Sequence, residues 1–453
     1  MKRILYAMII GIFVLGLLFS NQEVFSEQVN KDYINIKLTI PIKSKEFLKL
    51  YSENGFSICR KDDILNELEF LQPESIKVGI KGEEIIILDM NDNFLFSYNQ
   101  NEDLIFSSLD VSDKKIKVED KTYRDYINFK IRNGNLMVIN YVSMDHYLYG
   151  VVPREMPASF DMEALKAQAI AARTYALMNM RKHRNDGYDL CDTTHCQVYG
   201  GISGEHDRTT LAVDDTSGII ITYNGNIIDA VYHSNSGGRT VDSKEAWGGS
   251  VPYLVAVDDS YSIDYPNSHW SFTISKNEVN NRLKDSGVNI GNLINMEVIE
   301  TSDNGRVTKL KVAGTLGEEV LNSSKVRQVL GTTELKSTWF TIKKDSNMDP
   351  NIYAISGDNS SLKKIDMNNS YIISGNGIKS KIRGIIAKVI NMDRIVDINA
   401  NNDSSTGDFI IEGKGYGHGV GMSQWGAQGM AKAGYSFEEI IKHYYTGVEI
   451  TRQ

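Results

Sequence analysis

The segment 145–180 constrains the fold most strongly, because two prolines stand just ahead of an alanine-rich run. Pro153 and Pro157 fix their own φ angles and favour extended conformations in the residues before them. The three residues between the prolines are therefore predicted to form a short, non-helical ledge that holds Glu155. The alanines and other strong helix formers that follow predict a helix ending near Met180.

Polar side chains share one face of this predicted helix. Lys166 and Arg173 are seven residues apart, which is two helical turns, and Gln168 lies between them. This spacing predicts two cations and an amide within reach of Glu155 on the preceding ledge. The competing interpretation is that these charges only decorate a solvated helix and that Glu155 is a solvated loop residue.

Length and charge limit the classes of protein to consider. A chain of 453 residues, of which 41% are hydrophobic, can bury a large core in one elaborated domain or a few ordinary ones. The net charge of −9 argues against a nucleic-acid partner, because binding to a polyanion needs a basic surface.

The N-terminus has the pattern of an export signal. Lys2 and Arg3 precede an apolar run, 4–19, which ends at Ser20. We therefore expect an exported protein, with residues 1–27 acting either as a cleaved signal peptide or as a retained membrane anchor.

Strand-like patterns dominate the next hundred residues. Between 33 and 130, short β-branched or aromatic runs alternate with turn residues, which predicts antiparallel strands; LNELEFL, 65–71, is the exception and is predicted as a short helix. Asn133-Gly134 and Asn224-Gly225 are typical hairpin turns. The chain is predicted to be α+β, mostly antiparallel β with a few helices packed around a cleft.

Three further segments complete the predicted domain organisation. Residues 28–130 form an N-terminal β-rich segment, and 131–453 form the domain that carries Glu155. A stretch rich in Asn, Ser, Asp and Gly, 344–408, contains several short β runs and is predicted to be a β-rich insertion in that domain.

Thiol and imidazole side chains cluster after the alanine-rich helix. His183, Cys191, His195 and Cys196 have the ligand chemistry of a four-coordinate zinc site, although their spacing matches no common finger. A disulfide between Cys191 and Cys196 is the alternative in an oxidising exterior. A cysteine nucleophile is a third possibility, but no residue of this loop is identified to orient it.

Two loops rich in small residues are candidate ligand sites. HSNSGGRT, 233–240, follows a predicted strand and contains Ser234 and Ser236; its glycines allow a polar ligand to approach the backbone, or simply make a turn. GKGYGHGVGMSQWGAQGMA, 413–431, presents His418 between two glycines. This histidine either contacts a ligand or braces its own loop.

Two motifs resemble a known family. YLYGVVPREMP, 147–157, followed by EALKAQAIAARTYA, 163–176, is similar to the SpoIID/LytB family, and GHGVGMSQWGAQGMA, 417–431, is specific to it. That family includes lytic transglycosylases of sporulation and amidase enhancers. The resemblance implies that Glu155 is the catalytic acid, that the SNSGG-like turn lies beside the catalytic cleft, and that the His/Cys cluster holds a structural zinc ion.

The implied reaction is non-hydrolytic cleavage of the bond between N-acetylmuramic acid and N-acetylglucosamine in peptidoglycan glycan strands, with a 1,6-anhydro product. One carboxyl group suffices, because the nucleophile is the muramoyl 6-hydroxyl and not an external water. Lys166 and Arg173 are assigned to the lactyl carboxylate or the stem peptide. The candidate hydrogen-bonding residues are Gln168, Ser234, Ser236, His418 and Gln424.

The rival from another class is a non-catalytic, cell-wall-binding enhancer of a partner amidase, as in the other branch of the family. A zinc peptidase or amidase acting through Cys191, His195 and Cys196 is disfavoured, because the sequence contains no HExxH and the ligand set looks closed.

Overall fold

The computed structural model describes residues 33–40, 47–110, 114–344, 351–356, 359–366, 371–373, 379–381, 386–391, 394–399 and 408–453. The predicted signal, 1–27, lies outside these ranges. Strands outnumber helices and nearly all pairs are antiparallel, which confirms the predicted α+β class. In the described ranges, no helix has the length and apolar character needed to cross a membrane.

The chain forms two compact units. Unit 1 contains the described residues up to Tyr232, together with Ser250–Val257 and Val420–Gln453. Unit 2 contains His233–Gly249 and the described residues of Asp258–Gly419.

The helices of unit 1 are α1 (Met144–Glu155), α2 (Met162–Asn179), α3 (Asp207–Asp215), α7 (Gln424–Lys432) and α8 (Phe437–Tyr444), and those of unit 2 are α4 (Ser243–Trp247), α5 (Lys276–Asp285) and α6 (Ser323–Leu330). The strands up to the junction of the units are β1 (Tyr33–Lys37), β2 (Leu48–Tyr51), β3 (Phe56–Arg60), β4 (Asp63–Leu71), β5 (Ser75–Lys81), β6 (Glu84–Asp89), β7 (Phe94–Asn99), β8 (Leu104–Ser108), β9 (Lys115–Val118), β10 (Lys121–Arg124), β11 (Tyr126–Arg132), β12 (Asn135–Ser143), β13 (Leu190–Cys191), β14 (Ile219–Tyr223), β15 (Asn226–Ile227) and β16 (Tyr232–His233). The later strands are β17 (His269–Ile274), β18 (Leu293–Thr301), β19 (Val307–Gly314), β20 (Gly317–Asn322), β21 (Phe340–Lys344), β22 (Asn351–Ser356), β23 (Asn359–Asp366), β24 (Tyr371–Ile373), β25 (Lys379–Lys381), β26 (Ile386–Asn391), β27 (Arg394–Asn399), β28 (Phe409–Lys414), β29 (Met422–Ser423) and β30 (Glu449–Arg452).

Two sheets form the framework of unit 1. A seven-stranded sheet has the order β13-β1-β12-β11-β8-β3-β4, and a six-stranded sheet has the order β10-β9-β2-β5-β6-β7. One apolar core joins residues of both sheets, such as Phe106 and Ile87, to Val151 of α1 and Ala169 of α2. Burying this surface is the main stabilising contribution to the unit.

The N-terminal strands and the helix that carries Glu155 belong to the same unit. The predicted boundary at residue 130 falls inside β11, whose residues pair with β12 from Tyr126↔Tyr141 to Arg132↔Asn135. Strand β12 then leads directly into α1. The segment 28–130 therefore supplies, in its described part, strands of the sheet on which the candidate site is built.

The predicted helix at 65–71 is wrong, because these residues lie in strand β4. Arg60 pairs with Asp63 across a two-residue turn, and Phe56 pairs with Leu71 at the other end of the hairpin. Leu65 and Leu68 are exposed, at 74% and 51%, whereas Leu71 is buried. The strand conformation is favoured over the helix here, because an isolated helix of seven residues is only marginally stable.

The predicted hairpins at Asn133-Gly134 and Asn224-Gly225 are confirmed. All four residues have positive φ, between 50° and 76°, as a two-residue turn of this type requires. They join β11 to β12 and β14 to β15.

Unit 2 has its own core. Strands in the orders β17-β28-β21 and β18-β19-β20 pack with α5 and α6 around buried residues that include Leu283, Leu310 and Val329. The described strands of 344–408 pair as β22-β23, β24-β25 and β26-β27, and the assignment of this segment as an insertion stays a prediction.

Candidate active site and metal centre

Glu155 is the last residue of helix α1, not part of a non-helical ledge. Pro153 lies within the last turn of that helix, where nine preceding residues have already established the helical backbone. Met156 leaves the helix with φ −124° and ψ 137°, the extended conformation favoured before Pro157. The predicted non-helical conformation therefore holds for Met156 and is wrong for Arg154 and Glu155.

Three neutral donors of unit 1 surround the half-buried Glu155 carboxyl group. Gln424 Nε2 donates to Glu155 Oε2 at 3.2 Å, and the Tyr232 hydroxyl and the Val198 backbone N–H donate to the same carboxyl group. Burial raises the pKa of Glu155 above its usual range, and these three hydrogen bonds partly offset that rise. A carboxyl group in this setting suits general acid catalysis.

Gln424 is positioned by the start of helix α7. The Ser423 side chain accepts a hydrogen bond from the Gly426 backbone N–H and so caps the helix directly before Gln424. Gln424 Nε2 also lies 3.4 Å from Gln168 Oε1, and Gln168 is fully buried in α2. Gln168 therefore supports Gln424 from the interior of α2.

The two cations expected near Glu155 have other partners. Arg173 is 2% exposed, and its guanidinium donates to Asp145 Oδ1 at 2.9 Å and to the carbonyls of Thr216 and Val213. This set of partners favours a structural role over a ligand contact.

Lys166 is also engaged within unit 1. Its Nζ lies 3.0 Å from Asp215 and 3.7 Å from Glu163. Periodicity placed Lys166 and Arg173 on one face of α2 correctly, but that face meets α1 and α3, not an open surface.

The remaining candidates, Ser234, Ser236 and His418, lie in unit 2. Ser236 is fully buried, and its hydroxyl donates to Asp259 Oδ2 at 2.6 Å, so it braces the 233–240 turn. His418 is half-buried, with its ring centroid 5.4 Å from that of Trp247, which is 52% exposed. Ser234 is half-buried.

The structure brings together all four predicted metal ligands. The ligand atoms of His183, Cys191, His195 and Cys196 lie within 4.8 Å of one another, and both cysteines are free thiols. Cys196 Sγ lies 3.5 Å from His183 Nε2 and 3.6 Å from His195 Nδ1, and Cys191 Sγ lies 3.8 Å from His195 Nδ1. These separations match the edge of about 3.6 Å expected between S and N ligands of a tetrahedral zinc ion.

Local structure explains how neighbouring residues converge on one point. Cys191 is fixed by the pairing of β13 with β1, opposite Lys37. The Cys196 backbone N–H donates to the Thr193 carbonyl at 3.0 Å, and this tight turn brings Cys196 back toward Cys191. Lys182 lowers the pKa of His195, which favours the neutral imidazole that a metal needs.

Sequence reasoning missed Tyr232 and Val198 as partners of Glu155. An aromatic residue on a strand indicates core packing, and a backbone N–H has no sequence signal at all. Only the position of Tyr232, directly before the 233–240 turn, hinted at the site.

With this geometry in place, comparison with known proteins identifies the family. The stage II sporulation protein family (SpoIID) matches residues 132–223, which contain Glu155 and all four residues of the His/Cys cluster. An uncharacterized protein of Brachyspira hyodysenteriae is 31% identical over 319 residues, 70% of this chain and 69% of that relative. The chain belongs to the SpoIID/LytB family.

Two similar proteins of Bacillus subtilis have descriptive names. The amidase enhancer of Bacillus subtilis is 35% identical over 305 residues, which are 67% of this chain but only 40% of that relative. The stage II sporulation protein D of Bacillus subtilis is 29% identical over 335 residues, 71% of this chain and 77% of that relative. In this SpoIID/LytB chain, residues 261–359 also match a domain of unknown function (DUF8618), which covers part of unit 2.

Proposed function

We propose that this SpoIID/LytB protein is an exported lytic transglycosylase that cuts peptidoglycan glycan strands. Membership of the family supports a role at the cell wall, and the relative named stage II sporulation protein D supports the catalytic branch. The observation that carries the proposal is Glu155, a half-buried carboxyl group with a raised pKa and neutral hydrogen-bond donors.

The reaction needs only this one carboxyl group. Protonated Glu155 donates its proton to the glycosidic oxygen as the bond from that oxygen to the muramoyl C1 breaks. The resulting carboxylate accepts the proton of the muramoyl 6-hydroxyl as that oxygen bonds to C1. The 1,6-anhydro ring and a free hydroxyl leave, and Glu155 is protonated again, so no water is consumed.

The four-ligand cluster fits a structural zinc ion. His183, Cys191, His195 and Cys196 would hold it, and the ion would supply a cross-link and no chemical step. Val198, whose N–H donates to Glu155, is two residues beyond Cys196. The four residues of the cluster would therefore help to hold the Val198 N–H beside Glu155. Ser234 and His418 of unit 2 stay proposed sugar contacts.

The test is the identity of the products. Protein lacking the residues before Gln28 is incubated with glycan strands stripped of stem peptides, and mass spectrometry detects 1,6-anhydro ends. Glu155→Gln should abolish these products, whereas Glu438→Gln, which changes an exposed acid on α8, should not. Unchanged products from the Glu155→Gln protein would refute the mechanism.

The amidase enhancer relative favours a second candidate function, that of a non-catalytic protein that stimulates an amidase partner on the same polymer. Wild-type protein that forms no anhydro ends but accelerates digestion by an added amidase would support this alternative.

A further inference from the structure

A chain of neutral side chains runs through unit 1 to Glu155. The hydroxyl of Tyr147, which is fully buried, donates to Gln197 Oε1 at 3.1 Å. Gln197 Nε2 lies 3.2 Å from the Ala172 carbonyl oxygen and 3.0 Å from the Tyr232 hydroxyl. The Tyr232 hydroxyl in turn contacts the Glu155 carboxyl group.

The direction of each hydrogen bond in this chain follows from what each group can do. The Ala172 carbonyl can only accept, so the Gln197 amide nitrogen must face it, and the same nitrogen then donates to Tyr232. Burial and the nearby Glu155 raise the pKa of Tyr232 well above its usual range, so its hydroxyl keeps its proton. Since the Tyr232 oxygen already accepts from Gln197, its single hydrogen is directed at Glu155.

The ionised carboxylate of Glu155 can accept hydrogen bonds from several donors at once. An ionised carboxylate offers about four lone-pair sites. Gln424, Tyr232 and the Val198 N–H use three of them. We propose that Tyr232, oriented by Gln197, is a positioning residue whose hydroxyl donates to the Glu155 carboxyl group and stabilises its ionised form. This inference rests on the proposed function, because it concerns the same acid.

Among the described residues, the other titratable groups near Glu155 do not donate a hydrogen bond to its carboxyl group. The groups coupled to it electrostatically are Tyr147 on its own helix, Tyr175 on α2 and Tyr232 on β16. Of these, Tyr232 also forms a hydrogen bond with the carboxyl group. If the Tyr232 hydroxyl only filled space, it would contribute no donor, and removing that hydroxyl would leave the protonation of Glu155 unchanged.

The test is the titration of Glu155 in the full protein. Carbon-13 NMR of glutamate carboxyl groups, assigned with Glu155→Gln, gives its pKa in wild type and in Tyr232→Phe. Losing one donor should raise this pKa by about one unit. The matched control is Tyr199→Phe, which removes a buried hydroxyl that donates to Asn140 at 2.8 Å, and it should leave the Glu155 titration unchanged.

A second variant tests the orientation of the Tyr232 hydroxyl without removing that hydroxyl. Gln197→Met keeps Tyr232 but removes the amide that directs its hydroxyl. The pKa of Glu155 should therefore rise in this variant too, but by less than in Tyr232→Phe. Equal Glu155 titrations in wild type and Tyr232→Phe would overturn the inference, and so would an equal shift in Tyr199→Phe.

Measurements of anhydro-product formation distinguish the role of Tyr232 from the proposed transglycosylase activity. The pH at which anhydro-product formation declines on the alkaline side should move upward with the Glu155 titration in Tyr232→Phe. An inactive wild type whose Glu155 titration still responds to Tyr232→Phe would refute the transglycosylase alone. An active wild type with an unresponsive titration would refute the role of Tyr232 alone.

Discussion

Arg173 Nη2 lies 2.9 Å from Asp145 Oδ1, and this ion pair joins helix α2 to helix α1 in the interior of unit 1. The guanidinium also donates to the Thr216 and Val213 carbonyls at the end of α3. Helices α1, α2 and α3 therefore converge on one buried cation.

Replacing this cation should destabilise the protein more than it alters the chemistry. Among the described residues, Arg173→Met leaves Asp145 with the Ser217 hydroxyl as its side-chain hydrogen-bond partner, so we expect a loss of about 3 kcal/mol in the free energy of unfolding. Chemical denaturation measures this loss. The matched control is Arg132→Met, because Arg132 forms an exposed pair with Asp186 and should contribute less than about 1 kcal/mol.

Activity per folded molecule then separates support from ligand binding. If Arg173 is structural, folded Arg173→Met protein should have a KM for glycan strands close to that of the wild type. A large rise in KM with unchanged stability would instead restore the ligand-binding role that the sequence suggested.

Features that depend on neighbouring residues were predictable from the sequence, and features that depend on distant ones were not. The hairpin at Asn133-Gly134 and helix α2 follow from local turn chemistry and helix propensity. The direction in which Arg173 points was not predictable, because α2 is buried on almost every side and its periodicity marks no unique inner face.

The surroundings of the acid show the same limit. Gln424 is 269 residues from Glu155 along the chain, and its motif indicated a ligand contact but not a contact with the acid itself. The His/Cys cluster was predictable as a set because its members lie close in sequence, but its geometry required the turn at Thr193.

Metal content should distinguish zinc from a disulfide at this cluster. Purified protein should contain about one zinc ion per chain, and Cys191→Ala or Cys196→Ala should lose it. We expect the melting temperature to fall by roughly 5–10 °C, which corresponds to about 2–3 kcal/mol for a unit of this size. Elemental analysis and thermal denaturation measure the two effects.

The control for this prediction is Cys59→Ala, because Cys59 is a buried thiol outside the cluster. Its zinc content should equal that of the wild type. Metal-free wild type whose intact mass is two daltons below that of the reduced chain would show a disulfide instead.

Unit 2 contains a buried charge that should cost stability. Arg306 is 5% exposed, and its three guanidinium nitrogens have no hydrogen-bond partner among the described residues. Burial lowers its pKa to about 10. Its guanidinium lies 6.0 Å from the centre of the Trp339 ring, which offsets only part of the desolvation.

We therefore expect Arg306→Met to raise the free energy of unfolding by about 1–2 kcal/mol, because it removes an unpaired buried charge and keeps the packing volume. Arg282→Met, which removes ion pairs with the exposed Glu278 and Glu334, is the control and should be neutral or slightly destabilising. A loss of stability in Arg306→Met that exceeds the control would show that the guanidinium is satisfied by a bound water or ion.

The raised pKa of Glu155 also predicts how stability depends on pH. Because burial raises the folded-state pKa above the unfolded value of about 4.3, the folded protein binds this proton more tightly than the unfolded chain does. The contribution of Glu155 to stability is therefore complete below the unfolded pKa and is lost as the pH rises through the folded pKa. In Glu155→Gln this titration is absent. The free energy of unfolding of the wild type, measured relative to Glu155→Gln by urea denaturation between pH 4 and pH 8, should fall as the pH rises and then level off above the folded pKa. A difference that stays constant across this range would mean that the carboxyl group is well solvated, and Glu155 would then lack the property that suits it to protonate a leaving group at neutral pH.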